Sequence, residues 1–150
     1  MHIQVDQSGR IENLTQDSVV AFSNGLQDAI FLHRREKRAC YNALRGTYLN
    51  KKINEVKLFS ACLFLLLRPY LKNIYHITID AEYPGYEARI KEFFLSYAYN
   101  RITGFEKCDI NFASIGKKSN AHLVAYSVYT QKIPSFREIK AKDLLILLVK

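Results

Sequence analysis

The chain has no tryptophan, one methionine, three prolines and six glycines in 150 residues. Charged residues at 24% and aromatics at 13% are ordinary globular values, which excludes disordered, collagen-like and low-complexity chains. Cys40, Cys62 and Cys108 are odd in number and far apart. That spacing suits neither a zinc-type pair nor a disulfide framework, so reduced thiols in a cytoplasmic protein are expected. Long apolar runs are missing as well. The longest, Leu58 to Leu67, is ten residues between Lys57 and Arg68. A bilayer needs roughly 17–25, so this stretch reads as a buried helix, and no membrane is expected as a partner. The first residues, Met1-His2-Ile3-Gln4-Val5-Asp6, lack the charged-then-apolar signal pattern. Without repeats or a Pro/Gly/Ser-rich divide, the chain is expected to form one domain over 1–150, with a helical extension from about 135. A phosphate-binding Gly-rich loop and an anchored Cys–His pattern are also absent, which argues against a nucleotide-hydrolysing, dinucleotide or thiol enzyme.

The charge is segregated. Formal net charge is +8, and between Arg34 and Lys72 ten basic side chains face only Glu36 and Glu55. The rest of the chain balances. One short stretch therefore carries the whole imbalance, as a cationic face for a phosphate backbone would. Its candidate nucleic-acid contacts are Arg34, Arg35, Lys37, Arg38, Lys51 and Lys52, with Lys117 and Lys118 further on. A plainer reading is a solvated, charge-rich helix pair. Tyr41, Tyr48 and Tyr70 interleave the stretch and suit base stacking, although at helical spacing such residues more often belong to the core boundary.

Hydrophobic periodicity orders the elements. His2 to Ser8 alternates, as a half-buried strand does. Ser18 to Ser23 and Asp28 to His33 flank Asn24-Gly25, a hairpin signal, so three antiparallel strands open the chain. Helices are predicted over Lys37–Leu49 and Asn54–Leu71, the second with a stripe of Val56, Phe59, Leu63, Leu66 and Tyr70. A strand Ile74–Asp80, a helix from Tyr86 to about Asn100, a strand Asp109–Ile115 and a helix from Ser119 to about Gln131 follow. Ser135 and Glu138 form a capping-box pattern that announces a last helix. Leu144 to Val149 fits helix or strand. The expected fold is α/β, a mixed sheet of about five strands with flanking helices.

Ligands of such sheets gather at the carboxyl ends of strands, which here are marked by Asp6 and Asp80. If their strands are parallel neighbours, both carboxylates emerge at one edge of the sheet. Hard cations such as Mg²⁺ or Mn²⁺ take oxygen ligands of this kind, and metals held about 3.5–4 Å apart support phosphodiester cleavage. Asp at a strand end also simply caps turns.

Three motifs resemble the ribonuclease-H-like superfamily. Ile3-Gln4-Val5-Asp6-Gln7-Ser8-Gly9 resembles its opening strand, above all in the branch whose first strand carries Asp-Glu-Ser-Gly. Ile77-Thr78-Ile79-Asp80-Ala81-Glu82-Tyr83 resembles its fourth-strand motif. Lys117-Lys118-Ser119-Asn120-Ala121-His122-Leu123-Val124-Ala125-Tyr126 is similar to that branch's last motif. The resemblance implies a ribonuclease-H-like fold through about residue 131 and a metal-dependent nuclease. Asp6 and Asp80 would be metal ligands, Glu82 an assisting acid, and His122 would stand where the family's last catalytic Asp stands. Imidazole binds metal or moves protons near neutral pH. In two further departures Gln7 replaces an acid, and Lys57 falls where the family has a helix-one Glu, with Glu55 two residues off. The alternative is a non-catalytic nucleic-acid-binding module on the same fold. Likeness to resolvases would carry a homodimer with it.

Overall fold

The computed structural model describes residues 1–24, 26–45, 50–116, 119–130 and 137–149. It is an α/β structure built on one mixed sheet. Strands β1 (His2–Ser8), β2 (Ser18–Ser23) and β3 (Asp28–Leu32) form the expected antiparallel meander. Asn24 takes a positive φ of 96° at the β2–β3 turn, a conformation Asn tolerates; Gly25 lies outside the described residues. Strand β4 (His76–Asp80) joins β1 in parallel, and β5 (Asp109–Ala113) joins β4 in parallel. A sixth strand, β6 (Arg137–Ile139), runs parallel to β3, so the order is β5-β4-β1-β2-β3-β6.

β6 corrects the sequence reading, which started a helix at Ser135. Ser135 lies outside the described residues, and Glu138 sits in β6 instead of at a third helical position. The last helix, α5 (Ala141–Leu148), starts later. Its own first turn closes through Asp143, which accepts the Lys140 N–H at 3.0 Å. Leu144 to Leu148 is thus helical.

The other helices are α1 (Arg34–Leu44), α2 (Lys51–Leu67), α3 (Glu87–Arg101) and α4 (Asn120–Tyr129), with a 3₁₀ turn over Arg68–Asn73. α1 begins three residues before the sequence reading. Asp17 accepts the Arg34 N–H at 2.8 Å and His33 accepts the Arg35 N–H at 3.3 Å, so the orphan donors of the first turn are met there. α2 likewise starts early, capped by Asn50, whose side chain accepts the Lys52 N–H at 2.8 Å. Pro69 then tightens the chain into the 3₁₀ turn.

Two cores flank the sheet. Ile3, Val5, Val20, Phe22, Ile30, Leu32, Ile77 and Ile79 face α2 and its neighbours α1, α3 and α5. Val19, Ala21 and Ala29 face α4 through Val124, Ala125 and Val128. α2 is enclosed nearly all round, with 13 of its 17 residues buried, so the single stripe read from its sequence understates it. Cys40, Cys62 and Cys108 are buried and unbridged. Burial pushes the Cys40 thiol up to about 12, which leaves it protonated and without nucleophilic character. Among the described residues no helix is long and apolar enough to cross a membrane.

Gly9 seats α4 on the sheet. Its φ is +67°, and a Cβ there would lie 2.0 Å from the Asp17 carbonyl oxygen and 2.5 Å from the Tyr129 ring. Gly9→Ala combines a left-handed backbone with a clash against main chain, and should cost about 2–4 kcal/mol. Urea unfolding measures this; a loss below about 0.5 kcal/mol, the ordinary surface range, would contradict the packing.

Candidate functional site

The alternation of β1 and β4 places the site. With Ile3, Val5, Ile77 and Ile79 turned into the larger core, Asp6 and Asp80 must emerge on the α4 side of the sheet. The register pairs Val5 with Ile79, so the two acids follow one step later on adjacent parallel strands. Immediately after β4 the Glu82 N–H donates to the Asp80 carbonyl at 2.9 Å, a tight turn that brings Glu82 back beside Asp80. Pro84 and Gly85, the latter at φ 85°, then build a turn closed by the Tyr86 N–H on the Tyr83 carbonyl at 3.1 Å, and α3 begins.

The result is a group of three carboxylates, Asp6, Asp80 and Glu82, each offering a ligand atom within 4.8 Å of the others. His122 reaches them from α4, where Ser119 caps the helix by accepting the His122 N–H at 3.0 Å. Its Nδ1 lies 2.8 Å from Asp6 Oδ2. The other Asp6 oxygen accepts the Gln7 N–H at 2.8 Å, and Asp80 Oδ1 accepts the Ile115 N–H at 3.0 Å. The fold therefore brings together the four acid and imidazole candidates of the sequence.

Burial and crowding govern the charge here. Burial raises the Asp6 carboxyl above its usual range against the opposing pull of His122 and the Gln7 N–H. Glu82 is pushed up to about 8, first by burial, then by its hydrogen bond with Asp80 and the charges of Asp6 and Asp80, with Arg10 pulling the other way. Near neutral pH Glu82 holds a proton that moderates the repulsion among the three acids.

Several surrounding residues escaped the sequence reading. Gln7 Oε1 accepts the Ile11 N–H at 3.3 Å, which turns the amide nitrogen toward Glu82 Oε2 at 3.1 Å and the Tyr83 hydroxyl at 2.9 Å. Tyr83 donates to Glu12 at 3.1 Å. Arg10 donates to the Glu82 carbonyl at 2.8 Å and pairs with Glu12 at 2.9 Å and Glu82 at 3.4 Å. Gln7, Arg10 and Tyr83 lie within or beside the strand motifs, but no spacing rule marks Glu12.

The cationic stretch divides. Arg35 and Lys51 are exposed. Arg34 pairs with Asp17 at 3.5 Å, and Arg38 donates to the Leu14 carbonyl at 3.1 Å, both from the surface. Lys52 has its ammonium 5.3 Å from the Tyr83 ring centre and 3.5 Å from Glu55. Lys37 does not belong to a face at all. It is 0% exposed, and its ammonium is spent on the Arg10 and Asn13 carbonyls and the Ser18 hydroxyl at 3.2, 2.6 and 2.8 Å. It holds the loop between β1 and β2, and burial pulls it down to about 8. Lys57 is buried too, donating to the Leu148 carbonyl at 2.8 Å. Lys117 and Lys118 lie outside the described residues, as does Tyr48. Tyr41 and Tyr70 are half-buried, their hydroxyls donating to the Ile11 carbonyl at 3.4 Å and to Asp28 at 2.7 Å.

No protein-family model, curated protein or solved structure matches the chain.

The raised carboxyls set a pH dependence. A group whose folded pKa lies above its unfolded value, as Glu82 at about 8 against 4.5, stabilises the fold fully below the unfolded value. That contribution is lost as pH rises through the folded one. Stability of the metal-free protein should therefore fall between about pH 4.5 and 8, and Glu82→Gln should flatten the slope. Denaturant unfolding across that range tests it; an unchanged slope in the variant would remove Glu82 as its source.

Proposed function

We propose that the protein is a divalent-metal-dependent nuclease of ribonuclease-H-like fold that hydrolyses phosphodiester bonds in nucleic acid. The observation that carries this is the convergence of Asp6, Asp80 and Glu82 at the carboxyl ends of two parallel neighbouring strands, with His122 on Asp6. A meander followed by parallel strands and alternating helices is the arrangement that the motif resemblance implies.

The donor set fits Mg²⁺ or Mn²⁺. All three groups are hard oxygen ligands of the kind these cations take, and their ligand atoms lie within 4.8 Å of one another. When bound, such an ion activates water and stabilises the leaving oxygen. The side chains do the rest. Gln7 holds Glu82 in place through its amide. Nδ1 of His122 lies 2.8 Å from Asp6, and in the tautomer that donates from Nδ1 the Nε2 atom is an acceptor. In that tautomer His122 acts as a proton carrier oriented by Asp6, in preference to a ligand through Nδ1. Arg10 and Lys52 flank the Tyr83 ring at 5.6 and 5.3 Å and place cationic charge at the rim, where a substrate phosphate approaches.

One observation favours a second reading, a nucleic-acid-binding module without catalysis. α2 brings no carboxylate into the cluster: Lys57 is buried against Leu148, and Glu55 pairs with Lys52. The assay that decides is metal-dependent cleavage of labelled single-stranded, duplex, hybrid and junction substrates. Cleavage requiring Mg²⁺ or Mn²⁺ should drop by about a hundredfold or more in Asp6→Asn and Asp80→Asn, and by about 10²–10⁴-fold in His122→Ala if it moves a proton. The same ions should raise the melting temperature of the wild type and leave Asp80→Asn unmoved. Binding without cleavage favours the module, and cleavage unchanged in the acid variants overturns the site.

A further inference from the structure

The outer face of β5 is bare. Asp109, Asn111 and Ala113 are all exposed there, alternating with Ile110, which faces the core. In register beside them on β4 stand His76, Thr78 and Asp80. Among the described residues α4 packs chiefly on β1, β2 and β3, so the β5 side of this strip is open from Ala113 to Asp109, while Thr78 beside it on β4 is buried. Asp80 lies four residue steps beyond His76, about 13 Å of strand. The strip is polar: Thr78 donates to Asn111 Oδ1 at 3.1 Å, and His76 meets the same oxygen.

At its far end two cavities of about 420 and 360 Å³ meet at Lys107. Lys91 lines the first with His76 and Asn111, and Lys72 lines the second with Tyr75. None of these three lysines has an ion pair among the described residues. Asp109 and Glu106 line the same cavities, so the cationic excess is small and charge alone would bind weakly. Tyr75 supplies the other term. Its backbone is pinned on both sides, N–H to the Met1 carbonyl at 3.0 Å and carbonyl to the Asp109 N–H at 3.0 Å, yet the residue is 71% exposed. A rigidly placed, bare aromatic ring is a stacking platform.

We propose that this strip and its cavities hold a single strand of nucleic acid, with a base stacked on Tyr75 and its phosphates met by Lys72, Lys91 and Lys107. The strand then runs past Asn111 and Ala113, along the exposed edge strand β5, to the acid cluster. Only an unpaired base offers its face to Tyr75, because in a duplex the neighbouring bases cover it. The inference rests on the nuclease reading for its direction of travel and names the substrate form that reading leaves open.

Fluorescence anisotropy with a labelled oligothymidylate of about ten nucleotides, in EDTA so that nothing is cut, tests it. Tyr75→Ala should weaken binding about tenfold or more, the scale of one stacked base, and Tyr75→Phe should restore it. Lys91→Gln with Lys107→Gln should weaken binding and reduce its salt dependence. All these positions are at the surface or half-exposed, and melting curves check that each variant folds. Wild-type affinity in Tyr75→Ala, equal affinity for duplex, or no binding at all overturns the proposal. Tyr75-dependent binding in a protein that cuts nothing with Mg²⁺ or Mn²⁺ overturns the nuclease reading alone. Cleavage that is indifferent to Tyr75 overturns the strand path alone.

Discussion

The parallel pairing of β1 with β4 is the constraint on which the rest depends. The meander leaves β1 with one open side, and the chain must pass through α1, α2 and the 3₁₀ turn before β4 can fill it. Because Ile3, Val5, Ile77 and Ile79 are all buried in the same core, the register cannot slip by one residue without turning acids into that core. Hydrophobic burial on one side of the sheet thus enforces the meeting of Asp6 and Asp80 on the other. The site is a by-product of packing in its placement, though not in its chemistry.

Assembling acids in this way has a cost. Two unit charges about 5 Å apart repel by roughly 3 kcal/mol at an effective dielectric of 20, and three acids within 4.8 Å repel in pairs. The surrounding structure answers with directed donors: the N–H groups of Gln7 and Ile115, the Gln7 amide and His122. It also holds the loop after β1 firmly. Lys37 ties the carbonyls of Arg10 and Asn13 from beneath, and Gly9 lets Tyr129 of α4 close over the turn. Arg10 and Glu12 are therefore fixed relative to the acids by groups remote from them.

The alternation of β1 was readable because its two faces differ, whereas β2, buried throughout, and β3 were readable from β-rich composition around the Asn24-Gly25 turn signal. Asp6 and Asp80 were readable as strand-end acids, whereas Glu82 and His122 were named only through the motif resemblance. α2 misled because a helix packed on every side loses its stripe, so a single apolar row could be drawn through it but not its true extent. Lys37 and Lys57 misled for a sharper reason. Counting charge along a chain treats each lysine as solvated, whereas three well-placed acceptors make a buried ammonium tolerable, and acceptors from backbone carbonyls leave no trace in a sequence. β6 was hidden because three residues, Arg-Glu-Ile, carry no periodicity. Its place is set by the edge of β3 and by Arg137, which bonds the Leu65 and Leu66 carbonyls at 3.0 and 2.7 Å and pairs with Asp28 at 2.9 Å.

The basic composition takes on a different meaning beside this geometry. With Lys37 and Lys57 inside, eight of the ten cations between Arg34 and Lys72 remain to meet solvent. A polyanion drawn toward the protein still has to approach three carboxylates. Full ionisation of that group would oppose it at short range, where solvent screening is weakest. A proton on Glu82 lowers the opposition, and on the proposed reading a divalent cation would remove it and add attraction. On that reading, charge neutralisation would ease the approach of a phosphate to the acids themselves, and is not needed for binding about 13 Å away at the far end of the β4–β5 strip. The same balance of charge explains why Arg10 and Lys52 are paired with Glu12 and Glu55 at the rim: cations held by carboxylates there stay in place without filling the cluster themselves.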